Sequence, residues 1–227
     1  MPRRRIAMLL FVCALAAPAS ARADTAAPGP DTGGTAAPAG DLPLTPTAHV
    51  LVGKVATFRG LLPADAGRIV TIERHDAVAD QWIPVATALV TAGGAFEARW
   101  QTDVTGRLRT RATVQRTAEE GAALAAAAAH ETSLTVYRPA LASWYGPGFY
   151  GRKTACGKRM TRTLLGVAHR KLPCGTDVAL TYRGRTITVP VVDRGPFRPG
   201  RRWDLTAATA KSLGFTFTDR LGAVRVG

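Results

Sequence analysis

The stretch that decides the fold of this chain is Val192-Asp193-Arg194-Gly195-Pro196-Phe197, followed by Arg201-Arg202-Trp203-Asp204-Leu205-Thr206. It places two carboxylates, Asp193 and Asp204, in a segment crowded with cations. From Ala140 to the last residue there are 16 Lys and Arg against 4 Asp and no Glu. An acid at a strand-to-turn junction in so basic a segment indicates a specific role.

Three further blocks lie upstream of this stretch. They are Ala142-Ser143-Trp144-Tyr145-Gly146, Thr154-Ala155-Cys156-Gly157 and Ala168-His169-Arg170-Lys171-Leu172-Pro173-Cys174-Gly175-Thr176. Read in order, the four blocks resemble the rare lipoprotein A family of double-psi β-barrels, which includes septal lytic transglycosylases and shares its barrel with the expansins. The resemblance covers about residues 140–227, and it predicts a double-psi barrel with one short helix over residues 138–227.

The resemblance implies cleavage of a β-1,4 glycosidic bond in peptidoglycan. Glycosidases usually employ two carboxylates. Lytic transglycosylases, as the resemblance implies, can use one acid/base, because the sugar's own 6-hydroxyl attacks and leaves a 1,6-anhydro product. Asp193 is the candidate general acid/base. Its alternative role is that of a structural turn acceptor for the amides of Gly195 and Phe197.

His169 is the second catalytic candidate. It could orient Asp193, donate to a sugar hydroxyl or shuttle a proton, and a purely structural histidine is the equal alternative. Four aromatic residues cluster here, Trp144, Tyr145, Phe149 and Tyr150. Their rings could stack on sugar or pack the barrel core, and we expect a mix in which Tyr145 above all faces the substrate. Asp204 is either a substrate-hydroxyl acceptor or a helix N-cap. The expected substrate-binding set is therefore Tyr145, Trp144, Thr154, Lys158, Arg194 and Asp204.

Lys158 marks a departure from the family. Members often place Glu after the glycine of the Thr-Ala-x-Gly block, and this chain has no acid between Gly151 and Thr176. Either Asp193 works without that glutamate, or the domain binds and loosens wall polysaccharide without cutting it, as expansins do. Lys158 could bind a stem-peptide carboxylate or a teichoic phosphate, or it could be a solvated surface lysine.

The first residues carry the pattern of an export signal. Arg3-Arg4-Arg5 is a basic n-region, residues 6–17 are an apolar run, and Ala21-Arg22-Ala23 is a cleavage site, so residues 1–23 are predicted to be a signal peptide. A retained membrane anchor is the alternative, although the apolar run is short for a span. Cys13 lies in the apolar run, which leaves Cys156 and Cys174 in the mature chain. An even cysteine count in an exported protein predicts a disulfide, with a catalytic thiol as the alternative.

Residues 24–137 are predicted to contain a linker and a first domain. Residues 24–46, rich in Ala, Pro, Gly and Thr, predict a disordered linker. Residues 47–137 predict short alternating strands separated by glycine turns, typical of an immunoglobulin-like β-sandwich. Trp82 and Trp100 are expected to be core anchors, with surface carbohydrate stacking as the alternative.

Three local predictions complete the element assignment. Residues 118–129 are expected to form one short helix or a long loop. Residues 131–137 are predicted to be the last strand of the sandwich, and residues 138–141 a link to the barrel. In the barrel, the helix is predicted over residues 203–213, with Asp204 or Thr206 as its cap and Gly214 as its stop.

The sequence indicates no metal and no organic cofactor. His130-Glu131 lacks the second histidine of a metalloprotease motif, because position 134 is Leu. The net charge is +14, of which 16 minus 4, or +12, lies from Ala140 onward. Such a field attracts polyanions. For an exported chain we expect peptidoglycan or another anionic wall polymer rather than nucleic acid, a monomer without a stable membrane span, and a secreted or cell-envelope location.

Overall fold

The computed structural model describes residues 44–114 and 131–226, and these lie within one compact unit, Ala37–Gly227. The predicted signal peptide with Cys13, nearly all of the predicted linker and the Ala-rich residues 118–129 fall outside the described residues. Within the described ranges, no helix has the length and apolar character needed to cross a membrane.

Seven strands precede the barrel and form parts of two sheets. A three-stranded sheet has the order β1-β3-β6, and β5-β4-β7 continue into the long strand β8, with β2 also paired to β8. The strands are β1 (Thr45–Pro46), β2 (His49–Leu51), β3 (Val55–Leu61), β4 (Ile69–Asp76), β5 (Gln81–Leu89), β6 (Ala95–Gln101) and β7 (Gly106–Val114). A short 3-10 turn covers Pro63–Asp65.

These two sheets enclose one hydrophobic core. Strand β6 buries every second residue, as expected for a strand with one face on a core. Phe58 and Phe96 of the smaller sheet meet Ile72 and Leu134 of the larger one. The immunoglobulin-like relationship stays a prediction.

The two tryptophans of this region have different environments. Trp100 is 5% exposed and lies in the core, as predicted. The prediction of a core anchor was wrong for Trp82, which lies on the outer face of the larger sheet. There the guanidinium carbon of Arg111 lies 4.2 Å from the centre of its ring, and His75 packs against its edge. Cation–π contacts of this kind stabilise an aromatic ring that is not fully buried.

The barrel is closed by six strands. Strand β8 (Glu131–Tyr145) pairs with both β13 and β12, and the order β12-β9-β11-β10-β13-β8 therefore forms a ring. The other elements are β9 (Val167–Ala168), β10 (Asp177–Tyr182), β11 (Arg185–Asp193), β12 (Trp203–Thr206), helix α1 (Ala207–Leu213) and β13 (Asp219–Arg225). Its core includes Val167, Leu180, Val191 and Leu205. The described residues are thus mostly β with one short α-helix, as predicted.

Strand β8 is longer than the sequence predicts. Its first half pairs with β7 and its second half with β13 and β12, so residues 138–141 are strand rather than a link. The predicted domain boundary at residues 137 and 138 lies inside this continuous strand. Partners on both sides satisfy the backbone groups of these residues, which a local pattern cannot reveal.

The helix is shorter than predicted. Trp203–Thr206 is strand β12, and α1 begins at Ala207 with Thr206 as its N-cap, whose hydroxyl oxygen accepts from the amide of Thr209 at 3.4 Å. Asp204 is therefore not the cap. The stop at Gly214 is as predicted, since Gly214 has a left-handed φ of 68°.

The first region packs directly against the barrel at Gly222 of β13. A Cβ at this position would lie 2.8 Å from Leu51 Cδ2, 2.8 Å from Tyr137 Cβ and 2.6 Å from Thr181 Cγ2. Only glycine permits so close an approach. The hydroxyl of Tyr137 is also hydrogen-bonded to Nδ1 of His49 at 2.8 Å.

Candidate active site

Asp193 stands at the end of β11, and three donors hold its carboxylate. Oδ1 accepts from the backbone amides of Ala155 and Arg194, each at 2.8 Å, and Oδ2 accepts from the hydroxyl of Tyr145 at 3.1 Å. The alternative partners, the amides of Gly195 and Phe197, do not appear among the hydrogen bonds of the described residues. The carboxylate is half-buried and fixed in orientation.

A second carboxylate lies on β12, which is separated from β11 by β9. Asp204 of β12 is in parallel register with Ser143 of β8, and the Ser143 hydroxyl donates to Asp204 Oδ1 at 2.9 Å. Ser143 and Tyr145 are two residues apart, so their side chains share one face of β8. That face presents one donor to each carboxylate. The sequence analysis did not single out Ser143, although the same alternation, applied to its block, would have identified it.

The two carboxylates and the phenol influence one another. Burial raises the pKa of the Asp204 carboxyl, and the charge of Asp193 adds to the rise, while the Ser143 hydrogen bond and Arg201 oppose it. Burial also raises the pKa of the Tyr145 phenol, and the charges of Asp193 and Asp204 act in the same direction. Tyr145 therefore remains a hydrogen-bond donor at neutral pH, and the three groups form one site.

A tight turn over residues 154–158 brings the Ala155 amide to Asp193. The hydroxyl of Thr154 accepts from the amide of Lys158 at 3.1 Å, and the amide of Thr154 donates to the carbonyl of Lys158 at 2.7 Å. Cys156 and Cys174 form the predicted disulfide, with their Cα atoms 5.6 Å apart. Thr154 thus organises the turn, and Lys158 is exposed. No described carboxylate forms an ion pair with Lys158.

The His169 ring has no hydrogen bond to the Asp193 carboxylate among the described residues. Its Nδ1 accepts from the amides of Leu172 at 3.0 Å and Lys171 at 3.2 Å, and the ring lies 4.5 Å from that of Trp203. With Nδ1 an acceptor, the ring proton of the neutral form is on Nε2. Among the described residues, His169 meets Asp193 through the backbone, where its amide donates to the Asp193 carbonyl at 3.1 Å.

His169 lies in a positive field. Burial lowers the pKa of its imidazole, and the charges of Arg202, Arg170 and Arg194 lower it further. The ring is therefore neutral at pH 7. It supports the turn after β9 through two hydrogen bonds that need this neutral form.

Two other predicted substrate contacts are also directed elsewhere. The Trp144 side chain lies on the face of β8 opposite Tyr145, and its indole N–H donates to the carbonyl of Thr216 at 3.0 Å. The Arg194 guanidinium donates to the carbonyl of Leu172 at 3.0 Å. The aromatic neighbour of Tyr145 is Phe149, edge to face at 5.8 Å between ring centres and 48% exposed.

The described parts of the chain contain no cluster of three or more His, Cys, Asp or Glu side chains that could hold a metal ion. The chemical resources of the site are two carboxylates, two hydroxyl donors, backbone amides and an exposed aromatic ring. This arrangement can transfer a proton and can bind a sugar through hydroxyl contacts and ring stacking.

Comparison with known proteins gives a match over the barrel. Residues 139–227 match the double-psi β-barrel family model described as lytic transglycolase. "Probable endolytic peptidoglycan transglycosylase RlpA" of Synechocystis sp. is 50% identical over 76 residues, which are 33% of this chain and 24% of that protein. The protein with the same description from Aquifex aeolicus is 52% identical over 75 residues, 32% of this chain and 33% of that protein.

A third relative, "Endolytic peptidoglycan transglycosylase RlpA" of Campylobacter jejuni, is 43% identical over 75 residues, 32% of this chain and 27% of that protein. The match thus spans between 24% and 33% of the length of these three relatives. The six-stranded closed ring and the match agree in extent. The C-terminal region of this chain, residues 139–227, is therefore a double-psi β-barrel domain of the RlpA-like lytic transglycosylase family.

Proposed function

We propose that this protein is an exported lytic transglycosylase that cleaves peptidoglycan strands, with Asp193 as the general acid/base. The observation that carries the proposal is the three-donor arrangement at the Asp193 carboxylate, in a barrel whose relatives are named as peptidoglycan transglycosylases. Fixed orientation of the reacting group is a large part of what an active site contributes to rate.

Oxygen Oδ2 of Asp193 is the atom we assign to proton transfer. A carboxylate oxygen has about two acceptor positions. Oδ1 accepts from two amides, of Ala155 and Arg194, whereas Oδ2 accepts only from Tyr145 among the described residues. Oδ2 therefore keeps a position for the proton and for the substrate oxygen.

The proposed reaction is balanced without water. Asp193 Oδ2 gives its proton to the bridging oxygen as the C1–O bond breaks, and the leaving chain departs with a free hydroxyl. The 6-hydroxyl of the same sugar then bonds to C1, and its proton returns to Oδ2. The enzyme regains its starting state, and the product carries a 1,6-anhydro ring.

Asp204 is proposed to bind a sugar hydroxyl beside Asp193. It lies across β9 from Asp193, since both residues align with Ala168. It also influences the same phenol, and its second oxygen has no described donor. A carboxylate at this place adds acceptor capacity to a groove whose 154–158 turn carries Lys158 and no acid. We propose that the exposed ring of Phe149, rather than Trp144, stacks on the sugar with Tyr145.

Lys158 favours a second candidate function, that of an expansin-like protein that binds or loosens wall polysaccharide without cleaving it. Both functions use the same groove, and both place the protein in the cell envelope with peptidoglycan as its partner. The first region, proposed to be an immunoglobulin-like spacer or binding module, would hold the barrel at the wall in either case.

The experiment that tests the proposal is digestion of purified sacculi by the full chain, by Asp193→Asn and by Asp177→Asn. Asp177 is an exposed aspartate at the start of β10 and serves as the matched control. We expect soluble anhydro-muropeptides, detected by mass spectrometry, from wild type and Asp177→Asn. We expect a decrease of at least about 100-fold for Asp193→Asn, the size usual for loss of a general acid.

Two control measurements exclude misfolding and loss of binding as causes of a lower rate. Thermal unfolding must show that Asp193→Asn is folded, and co-sedimentation must show that it still binds sacculi. Binding of sacculi by all three proteins with no soluble product from any of them would contradict cleavage and establish the binding function instead.

A further inference from the structure

We propose that the barrel carries a second binding site, for a ligand with several closely spaced phosphate groups, in a pocket separate from Asp193. The pocket has a volume of about 550 Å³, within the range of small-molecule sites. Its cationic lining, which we call the arginine pocket, consists of Arg138, Arg170, Lys171, Arg201, Arg202 and Arg220. These residues come from β8, from the turns after β9 and before β12, and from β13.

The arginine pocket contains no acid. None of its six cations lies within 4.0 Å of a carboxylate in residues 44–114 and 131–226. Arg170 does have a backbone partner, because it donates to the carbonyl of Arg201 at 2.6 Å. Six positive charges around one pocket repel one another, and a bound anion would relieve this repulsion.

Charge is used differently in the first region, where arginines have acidic partners. Arg111 lies 2.6 Å from Glu73, Arg109 lies 2.7 Å from Glu131, and Arg59 lies 2.9 Å from Glu97. The chain therefore pairs arginines with carboxylates across its strands elsewhere. Within residues 44–114 and 131–226 the cations of the arginine pocket have no such ion-pair partner, so an external anion can take that place.

The lining favours phosphate as the ligand chemistry. Guanidinium groups form paired hydrogen bonds with phosphate oxygens. A phosphate group presents three or more oxygens and up to about two charges, whereas a carboxylate presents two oxygens and one charge. A chain of phosphates therefore matches six cations in a small volume better than isolated carboxylates do.

The neutral His169 ring also lines the arginine pocket, so the pKa of its imidazole can report a charge bound there. Arg202, Arg170 and Arg194 are the cations that lower the pKa of its imidazole, and two of them line the pocket. A bound polyanion would offset their charge. None of Asp193, Asp204 and Tyr145 lines this pocket.

The test is calorimetric titration of the full chain with tripolyphosphate in 50 mM salt, a probe of stated chemistry. The variant Arg138→Ala/Arg202→Ala removes two exposed pocket cations. The matched control Lys54→Ala/Arg99→Ala removes two exposed cations of the first region. We expect binding by wild type and by the control, and at least about tenfold weaker binding by the pocket variant. Equal affinity for all three proteins, or no binding by wild type at 1 mM, would overturn the proposal.

Three further readouts assign the site and the ligand class. We expect saturation with tripolyphosphate to raise the pKa of His169. Ring NMR follows this pKa, and the variant His169→Gln identifies the His169 signal. An unchanged pKa of His169 would place the ligand elsewhere. Citrate is expected to bind more weakly than tripolyphosphate, and equal binding would overturn the phosphate class. Vesicles of phosphatidylglycerol distinguish two sources of the phosphates. If the protein binds these vesicles and tripolyphosphate releases it, the phosphates belong to a lipid surface. If the protein binds tripolyphosphate but not the vesicles, they belong to a soluble chain. Both of these last outcomes support the site.

Discussion

The first region and the barrel hold their carboxylates in opposite ways. In the first region Glu73, Glu97 and Glu131 each contact an arginine across a strand pair. In the barrel, which is far more basic, Asp193 and Asp204 accept instead from neutral hydroxyls and amides.

The difference separates two uses of charge. A carboxylate that contacts an arginine across two paired strands contributes to sheet stability. A carboxylate that accepts from hydroxyls and amides is fixed in orientation, and a group that transfers a proton to substrate requires this. Within the described residues, neither Asp193 nor Asp204 forms an ion pair with an arginine or a lysine.

The largest expected effect is on the disulfide, which belongs to the barrel alone. The double variant Cys156→Ser/Cys174→Ser frees a loop of sequence separation 18 and should lower the free energy of unfolding by about 3 kcal/mol. Denaturant unfolding measures this change. Cleavage should also decrease, because the turn that brings the Ala155 amide to Asp193 loses its tie.

Wild-type protein treated with reductant is the control for the disulfide. It should match the double variant within about 0.5 kcal/mol, the usual limit of such comparisons. A loss below about 1 kcal/mol in both would show that the turn is held without the disulfide.

The second prediction tests whether neutral donors serve chemistry in the barrel. Tyr145→Phe removes the donor to Asp193 Oδ2 and should lower the rate of anhydro-muropeptide release by about tenfold, the worth of one hydrogen bond to a charged group. Tyr182→Phe is the matched control, because the Tyr182 hydroxyl donates to Asp219 at 2.8 Å, away from the site. Equal rates for the two variants would contradict the assigned role of Tyr145.

The third prediction concerns the paired charges of the first region. A double-mutant cycle on Glu73 and Arg111, whose side chains are 16% and 29% exposed, should give a coupling of about 0.5–1 kcal/mol in stability. The more exposed pair Arg59 and Glu97 should give less than about 0.3 kcal/mol. None of these variants should alter the rate of glycan cleavage. A changed rate would contradict a purely stabilising role for the ion pairs of the first region.

The smallest expected effect is the pH dependence of the melting temperature of Asp204→Asn. The pKa of Asp204 is raised in the fold. Its contribution to the free energy of unfolding is therefore fully present below the ordinary pKa of about 3.9 and is lost as pH rises through the folded pKa. Asp204→Asn stays neutral, so its melting temperature relative to wild type should increase from pH 3.5 to pH 7, by about 2 °C.

Asp219→Asn is the opposing control for this pH series. The Tyr182 hydrogen bond lowers the pKa of Asp219, so its contribution to stability is fully present above the ordinary pKa of about 3.9 and is lost as pH falls through the folded pKa. The variant lacks this contribution, and the difference should have the opposite sign. The same sign for both variants would contradict the assigned environments.

Predictability from the sequence was uneven. The alternating segments of the first region and the disulfide were predicted correctly, since each depends on local pattern or on cysteine count. Strand β12 was missed because its four residues are strand only through their pairing with β8 and β9. Trp82 was misplaced because strand alternation does not say which face of a sheet is covered.

The sequence by itself determined the family of the barrel, the position of Asp193 at a strand end and the pairing of Cys156 with Cys174, because those features are carried by residue identity and order. Only the tertiary structure decided that Ser143 and Tyr145 serve the two carboxylates, that His169 faces Trp203 and the arginine pocket, and that β8 runs unbroken from one region into the other. The physical reason is that strand pairing brings together groups far apart in the chain. Asp193 and Tyr145 are 48 residues apart in sequence, yet they share one hydrogen bond.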